Sequence, residues 1–206
     1  AYLRGYPNII LGAPKDEAEL RDMLLTAIEH PAPAAIRYPR GNGVGVDISQ
    51  EPKMLEIGRA ELLRDGGDVA IIAYGSMVYP AMQAAENLAK AGIQATVINA
   101  RWVKPLDAQL ILALAQNQPL MVTVEEAYLA GGFGSAVMEC LEENGLLDAI
   151  KFVRMGVSDR IVTHGDPKML LAQYGLDAEG IYNKVKEAFE ILEERRVGKK
   201  RLKIVS

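Results

Sequence analysis

Val69-Ala70-Ile71-Ile72-Ala73 runs without a polar break, the pattern of a strand buried on both faces of a parallel sheet. Tyr74-Gly75-Ser76 closes it, and Ala81, Ala84, Ala85, Leu88 and Ala89 then mark a helix ending at Gly92. Upstream, residues 58–64 read as a strand that leads through the turn Asp65-Gly66-Gly67-Asp68 into the same run. Downstream the alternation continues. Residues 95–100 form the next strand, 101–107 bridge to a helix ending near Gln116, and 120–124 form a buried strand running into Glu125-Glu126. A helix through Val137, Cys140 and Leu141, a strand over 151–155, a short helix over 166–174 and a final helix striped by Ile181, Val185, Ala188, Phe189 and Leu192 complete it. Strands alternating with helices predict an α/β domain around a mostly parallel sheet, of roughly 140 residues.

The chain before this domain repeats the grammar once. Pro7-Asn8-Ile9-Ile10-Leu11 is a short strand, and Gly12-Ala13-Pro14 turns it. Asp16, Glu17 and Glu19 load the start of a helix with negative charge, where the helix dipole favours it. Leu20, Met23, Leu24, Ala27 and Ile28 give that helix one apolar face. His30-Pro31-Ala32-Pro33 stops it and residues 34–37 return as a strand, so strand, helix and strand predict a parallel βαβ unit. The returning strand runs out into Arg37-Tyr38-Pro39-Arg40-Gly41-Asn42-Gly43-Val44-Gly45. Pro39 holds Tyr38 extended and the glycines then let the chain bend. Ligands in such sheets collect at the carboxyl ends of strands. An arginine fork there suits a phosphate or a carboxylate; surface ion pairs are the plainer alternative. Residues 47–57 lose the apolar period and read as a linker.

Half of the 206 residues are apolar, 6% are aromatic and net charge is −4, which removes the global basic field expected of a nucleic-acid binder. Lys199-Lys200-Arg201-Leu202-Lys203, within a basic tail over 196–206, has no aromatic platform for bases. A single cysteine, Cys140, excludes an internal disulfide, no Cys/His cluster has zinc spacing, and no apolar run is long enough for a membrane span. The cytosol is the expected compartment. The first residue, Ala1, opens without cap or turn, as in a piece of a longer chain.

Gly131-Gly132-Phe133-Gly134-Ser135 follows a strand and opens a helix, like a phosphate loop, but matches neither G-x-G-x-x-G nor the Walker pattern; the glycines are expected to allow close packing instead. Glu125 and Glu126 point to opposite faces of their strand and cannot act as a dyad, so hydrogen bonds to loop amides or a partner chain are the favoured reading. His30 and His164 lack a nucleophile partner, and Cys140 reads as a core residue.

Tyr2-Leu3-Arg4 with Pro7-Asn8, Ala13-Pro14 before Asp16-Glu17, Arg37 to Asn42, Val103-Lys104-Pro105-Leu106-Asp107, Val122-Thr123-Val124-Glu125-Glu126, the glycine run at 131–135, His164-Gly165 and Gly175-Leu176-Asp177-Ala178 together resemble the 1-deoxy-D-xylulose-5-phosphate synthase family. The resemblance covers nearly the whole chain in order, and Arg37 to Asn42 is its specific part. The later motifs are shared with transketolases and with β subunits of 2-oxo-acid dehydrogenases. The resemblance implies an α/β chain made of the end of a parallel-sheet pyrimidine-binding domain, residues 1–46, followed by a complete transketolase C-terminal-like domain, residues 58–195. It implies a transferase using thiamine diphosphate and Mg²⁺, with pyruvate and glyceraldehyde 3-phosphate as substrates, an upstream part of the same enzyme as partner, and a homodimer. Arg40 matches the family's phosphate-gripping arginine. The family's catalytic, cofactor and metal residues fall before Ala1, so the segment is expected to hold no cofactor and to be inactive alone. Lys15 stands where the family commonly has a helix-capping serine, expected to matter little. A non-catalytic dimerisation module and a 2-oxo-acid dehydrogenase β subunit are the alternatives; an arginine run suited to a phosphorylated acceptor argues against the second.

Overall fold

A computed structural model describes residues 1–205, with side chains through Arg196. Its main sheet has five strands in the order β3 (Glu61–Arg64), β5 (Ala95–Asn99), β4 (Val69–Tyr74), β7 (Leu120–Tyr128), β8 (Lys151–Val157). β4 lies at its centre, parallel to β5 and β7, and β8 is parallel to β7. β3 does not form a hairpin with β4 as the intervening turn suggests; it pairs antiparallel with β5 at the edge. A strand flanked on both sides by parallel partners leaves no free ladder for its sequence neighbour.

The period of two along β4 divides the core. Val69, Ile71 and Ala73 face α2 (Val78–Lys90) and α6 (Ala178–Val205), whereas Ala70 and Ile72 face α3 (Ala108–Asn117) and α4 (Phe133–Glu143). A strand covered by helices on both faces has to be apolar at every position. α5 (Pro167–Gln173) joins the sheet's last strand to α6. The basic stretch at 199–203 falls within α6, and its side chains lie outside those described. Among the described residues, no helix is long and apolar enough to cross a membrane.

The first segment forms the expected parallel pair, β1 (Ile10–Gly12) beside β2 (Ala34–Ile36), joined by α1 (Glu17–Glu29). What the sequence reading misses is β6, Trp102–Lys104, which pairs antiparallel with β1 and completes a three-stranded sheet. Residues 101–107 are therefore more than a bridge. Trp102, fully buried, packs with Ile10, Met23 and Leu55, and a Cβ on Gly12 would stand 2.9 Å from its ring. α1 also departs from expectation. Its buried rail is Glu19, Met23 and Thr26, while Leu24 and Ile28 are 45% and 77% exposed. Three short strands cover only one flank of the helix, and residues 48–55 run across another. There Arg21 bonds to Ile48 O and Gln50 O, Lys53 N donates to Asp22, and Leu55 N donates to Thr26 Oγ1.

A polar knot joins the two parts. The Glu19 carboxylate, 3% exposed, receives Arg101 Nε at 2.7 Å, Asn99 Nδ2 at 2.8 Å and Lys15 Nζ at 3.3 Å. Glu61 receives Lys15 Nζ at 2.9 Å, Arg101 Nη2 at 3.0 Å and Asn99 Nδ2 at 3.1 Å. Lys15, expected to be of little consequence, is thus a bridge between segments. Burial works against its charge, yet Glu19 and Glu61 hold its pKa above the ordinary value. For Glu61, burial pushes upward and is outweighed by Lys15, Asn99 and Arg101, leaving the carboxyl below its usual range. Arg101 sits at φ 57°, a conformation that costs a non-glycine residue about 1 kcal/mol or more and that these pairs hold in place.

Two outcomes are expected. Trp102→Ala removes the centre of the inter-segment core and lowers unfolding free energy by roughly 3–5 kcal/mol, read from urea unfolding by circular dichroism. Because the Glu61 pKa is depressed in the folded chain, its contribution is present above the unfolded value, about 4.3, and is lost as pH falls through the folded one. The gap in urea midpoint between the parent chain and Glu61→Gln is therefore wide at neutral pH and closes below that value; a gap independent of pH would contradict it.

Candidate functional site

The carboxyl ends of three strands from the two sheets meet at one cavity of about 520 Å³. Arg37 and Tyr38 reach it from the end of β2, Tyr74 from the end of β4, and Glu125 and Glu126 from β7. Arg4 and Phe133 close two sides. This is where parallel α/β sheets place ligands. Tyr74 stacks on Phe133 with ring centroids 5.0 Å apart, and its burial pushes the phenol well above the ordinary tyrosine value.

The two neighbouring glutamates diverge, as the strand period requires. Glu125 turns to the start of α4, where its carboxylate accepts from Phe133 N at 2.7 Å and Gly134 N at 2.8 Å. Burial raises its pKa, with the two amides working in the opposite direction. The glycine run is therefore not an open phosphate cradle, because the helix N-terminus is already filled by the chain's own anion. The close-packing reading holds. A Cβ on Gly132 would collide with the Glu125 carboxylate, and one on Gly134 would stand 2.6 Å from Thr123 Oγ1.

Glu126 faces the cavity rim. It accepts from Ser76 Oγ at 2.6 Å and pairs with Arg37 Nη1 at 3.0 Å. Burial opposes its charge, but Arg37 and Ser76 bring its carboxyl below the usual range. The two arginines of the strand-end run thus separate. Arg37 spends its charge on Glu126, whereas Arg40 is exposed and, among the described residues, makes no ion pair or side-chain hydrogen bond. Its neighbours Pro39 and Gly41 line a second cavity of about 210 Å³, together with Asp16, Glu17 and Ser76.

Cys140 packs at the edge of the core beside α3, with burial and Glu143 raising its thiol pKa. His164 lies exposed in the loop before α5, and His30 ends α1. The structure brings neither histidine to the cavities. Among the described residues, no group of three or more His, Cys, Asp or Glu could hold a metal ion, and the one helix start resembling a phosphate loop is filled by Glu125.

Read only as helix-dipole charges, Glu17 and Glu19 do not stand out in the sequence as individual functional residues. The available signal was the capping-box spacing. Asp16 caps α1 by accepting from Glu19 N at 2.8 Å, and Glu19 reaches back to accept from Lys15 N at 2.7 Å.

Comparison with known proteins bears on the family and the fold. Residues 58–181 match the transketolase C-terminal domain model. The chain is 55% identical over 186 residues to 1-deoxy-D-xylulose-5-phosphate synthase 1 of Geobacter metallireducens, covering 90% of this chain and 30% of that protein. It is 58% identical over 182 residues to the 1-deoxy-D-xylulose-5-phosphate synthase of Thermomicrobium roseum, covering 88% and 29%. The chain thus spans less than a third of the length of these relatives. Among solved structures, a split-gene transketolase described as an inactive beta4 tetramer superposes with a TM-score of 0.81 at 35% identity, covering 91% of this chain and 60% of that one. A transketolase mutant from Pichia stipitis superposes at 0.64 with 19% identity, covering 94% and 27%, a likeness of fold alone. The chain belongs to the transketolase C-terminal domain family, and its sequence is similar to that of 1-deoxy-D-xylulose-5-phosphate synthases.

Proposed function

We propose that this chain is the C-terminal portion of a synthase that joins pyruvate to glyceraldehyde 3-phosphate, releasing CO₂ and forming 1-deoxy-D-xylulose 5-phosphate. The whole enzyme would use thiamine diphosphate and Mg²⁺, which supply the carbanion equivalent that attacks the aldehyde. In this reading the segment's own contribution is to the acceptor. The observation that carries the reading is the difference between the two arginines. Arg37 is neutralised by Glu126, while Arg40 stands exposed, next to the glycine-rich bend and, among the described residues, without an internal partner. A guanidinium in that state binds a phosphate without first breaking an ion pair. Gripping the phosphate, remote from the reacting carbon, orients the aldehyde and lowers the entropic part of the barrier.

A second reading has its own observation. The solved neighbour with 35% identity is an inactive assembly, and α1 exposes Leu24 and Ile28 on one face. In this reading the segment serves assembly, as a module that forms a dimer without cofactor.

In the full-length enzyme, Arg40→Ala is expected to raise KM for glyceraldehyde 3-phosphate by roughly one to two orders of magnitude and KM for pyruvate far less. Equal changes in both, or a selective effect of Arg37→Ala in its place, would remove Arg40 from this role. For the assembly reading, light scattering on the isolated chain should give at least twice the monomer mass of 22.4 kDa without added thiamine diphosphate; a monomer at micromolar concentration would sink it.

A further inference from the structure

The Arg40 loop is held by one carboxylate that the proposed reaction does not use. Glu17, the first residue of α1, accepts from three successive backbone amides just beyond the arginine. These are Val44 N at 3.1 Å, Gly45 N at 2.6 Å and Val46 N at 3.1 Å. The approach is close enough that a Cβ on Gly43 would stand 2.6 Å from the Glu17 carboxyl carbon. Charge-assisted bonds from consecutive amides fix a loop's path far more firmly than one side-chain contact does.

The anchor is itself anchored. Asp16, beside Glu17, caps α1 with one oxygen and with the other accepts from Tyr79 Oη of α2 at 2.9 Å. Burial and then Asp16 push the Tyr79 phenol up to about 12, so it remains a donor at any working pH. A continuous path therefore runs from the main domain through Tyr79 and Asp16 to the start of α1, and through Glu17 to the loop bearing Arg40. The loop sequence is short and glycine-rich, and has no regular secondary structure of its own over 41–49; the Arg21 bonds hold it only from Ile48 on, so without Glu17 residues 41–46 would have little to hold them.

We infer that Glu17 is a positioning residue for acceptor binding: it fixes the backbone of residues 44–46 and so places the Arg40 guanidinium where a phosphorylated acceptor meets it. The inference rests on the reading of Arg40 given above and adds a residue that acts through the backbone of the Arg40 loop. Positioning by a neighbour acts on the phosphate-bearing substrate and leaves pyruvate alone, which separates it from general loss of structure.

The test uses the full-length synthase with Glu17→Ala, Glu17→Gln, Arg40→Ala and the Glu17→Ala/Arg40→Ala double variant. Hydrogen exchange of a peptide covering 43–46 is measured beside KM for each substrate. Glu17→Ala is expected to speed exchange at 44–46 and to raise KM for glyceraldehyde 3-phosphate roughly five- to tenfold, with KM for pyruvate within about twofold. Glu17→Gln, which keeps one acceptor oxygen, should fall between. The double variant should be no worse than Arg40→Ala alone, because a misplaced arginine matters only while the arginine is there. Unchanged exchange in both Glu17 variants overturns the anchor. Faster exchange with unchanged KM, while Arg40→Ala does raise KM, overturns the positioning role and leaves Arg40 standing. If Arg40→Ala leaves KM for the triose phosphate unchanged, the reading of Arg40 fails, and the acceptor role of Glu17 falls with it.

Discussion

A carboxylate carried into a protein interior has to bring its partners with it, and Glu19 is the case on which the arrangement of this chain depends. It belongs to the first segment by sequence, yet most of its partners, Asn99 and Arg101, lie at and just after the end of a strand in the main domain. Left unpaired at that depth, the charge would cost several kcal/mol. The first segment therefore cannot slide or swing on the second without exposing or orphaning it. The apolar half of the joint, around Trp102, supplies attraction without direction; the polar half supplies register. Lys15 and Glu61 complete the knot, and Arg101 accepts an unfavourable backbone conformation within it.

Seen from this joint, the strand-end cavity is a consequence of how the two sheets are docked. β2, β4 and β7 end at the same place because β1 is bound to β6, and β6 follows directly from β5 in the main sheet. The cavity then collects what those ends carry: an arginine, a tyrosine and two glutamates facing different ways. That Glu125 turns inward to serve α4 while Glu126 turns outward to serve Arg37 follows from strand pleating alone.

The order of elements was legible because its signals are local. The unbroken apolar run of β4, the alanine stripe of α2 and the glycines at helix ends each speak for their own neighbourhood. The Glu125–amide contact was legible for the same reason, lying only eight and nine residues along the chain. The joint was not legible. Nothing in Arg101-Trp102-Val103-Lys104 announces a strand that reaches back to the first segment, and the apolar row of α1 suggested a buried face where the fold leaves Leu24 and Ile28 in solvent. Pairings across long separations depend on where other elements have already been placed, which no window of a dozen residues contains. At the candidate site, an arginine at the strand ends was readable from strand-end chemistry, but the one that lines the cavity there is Arg37, whereas Arg40 lines neither cavity. The distinction between the two was not readable, since it depends on a glutamate far along the chain.

The pairing of Leu11 with Lys104 has a temporal side. A ribosome delivers the first segment well before the strand that completes its sheet, and for that interval β1 has a free edge and the Trp102 pocket is empty. Closing so long a loop is slow compared with forming the helices in between. The early segment is thus the part of this chain most dependent on staying out of trouble during synthesis. The lysine, the two prolines and the acidic residues flanking β1, at 7 and 14–17, are the kind of residues that keep an unpaired edge from recruiting a wrong partner.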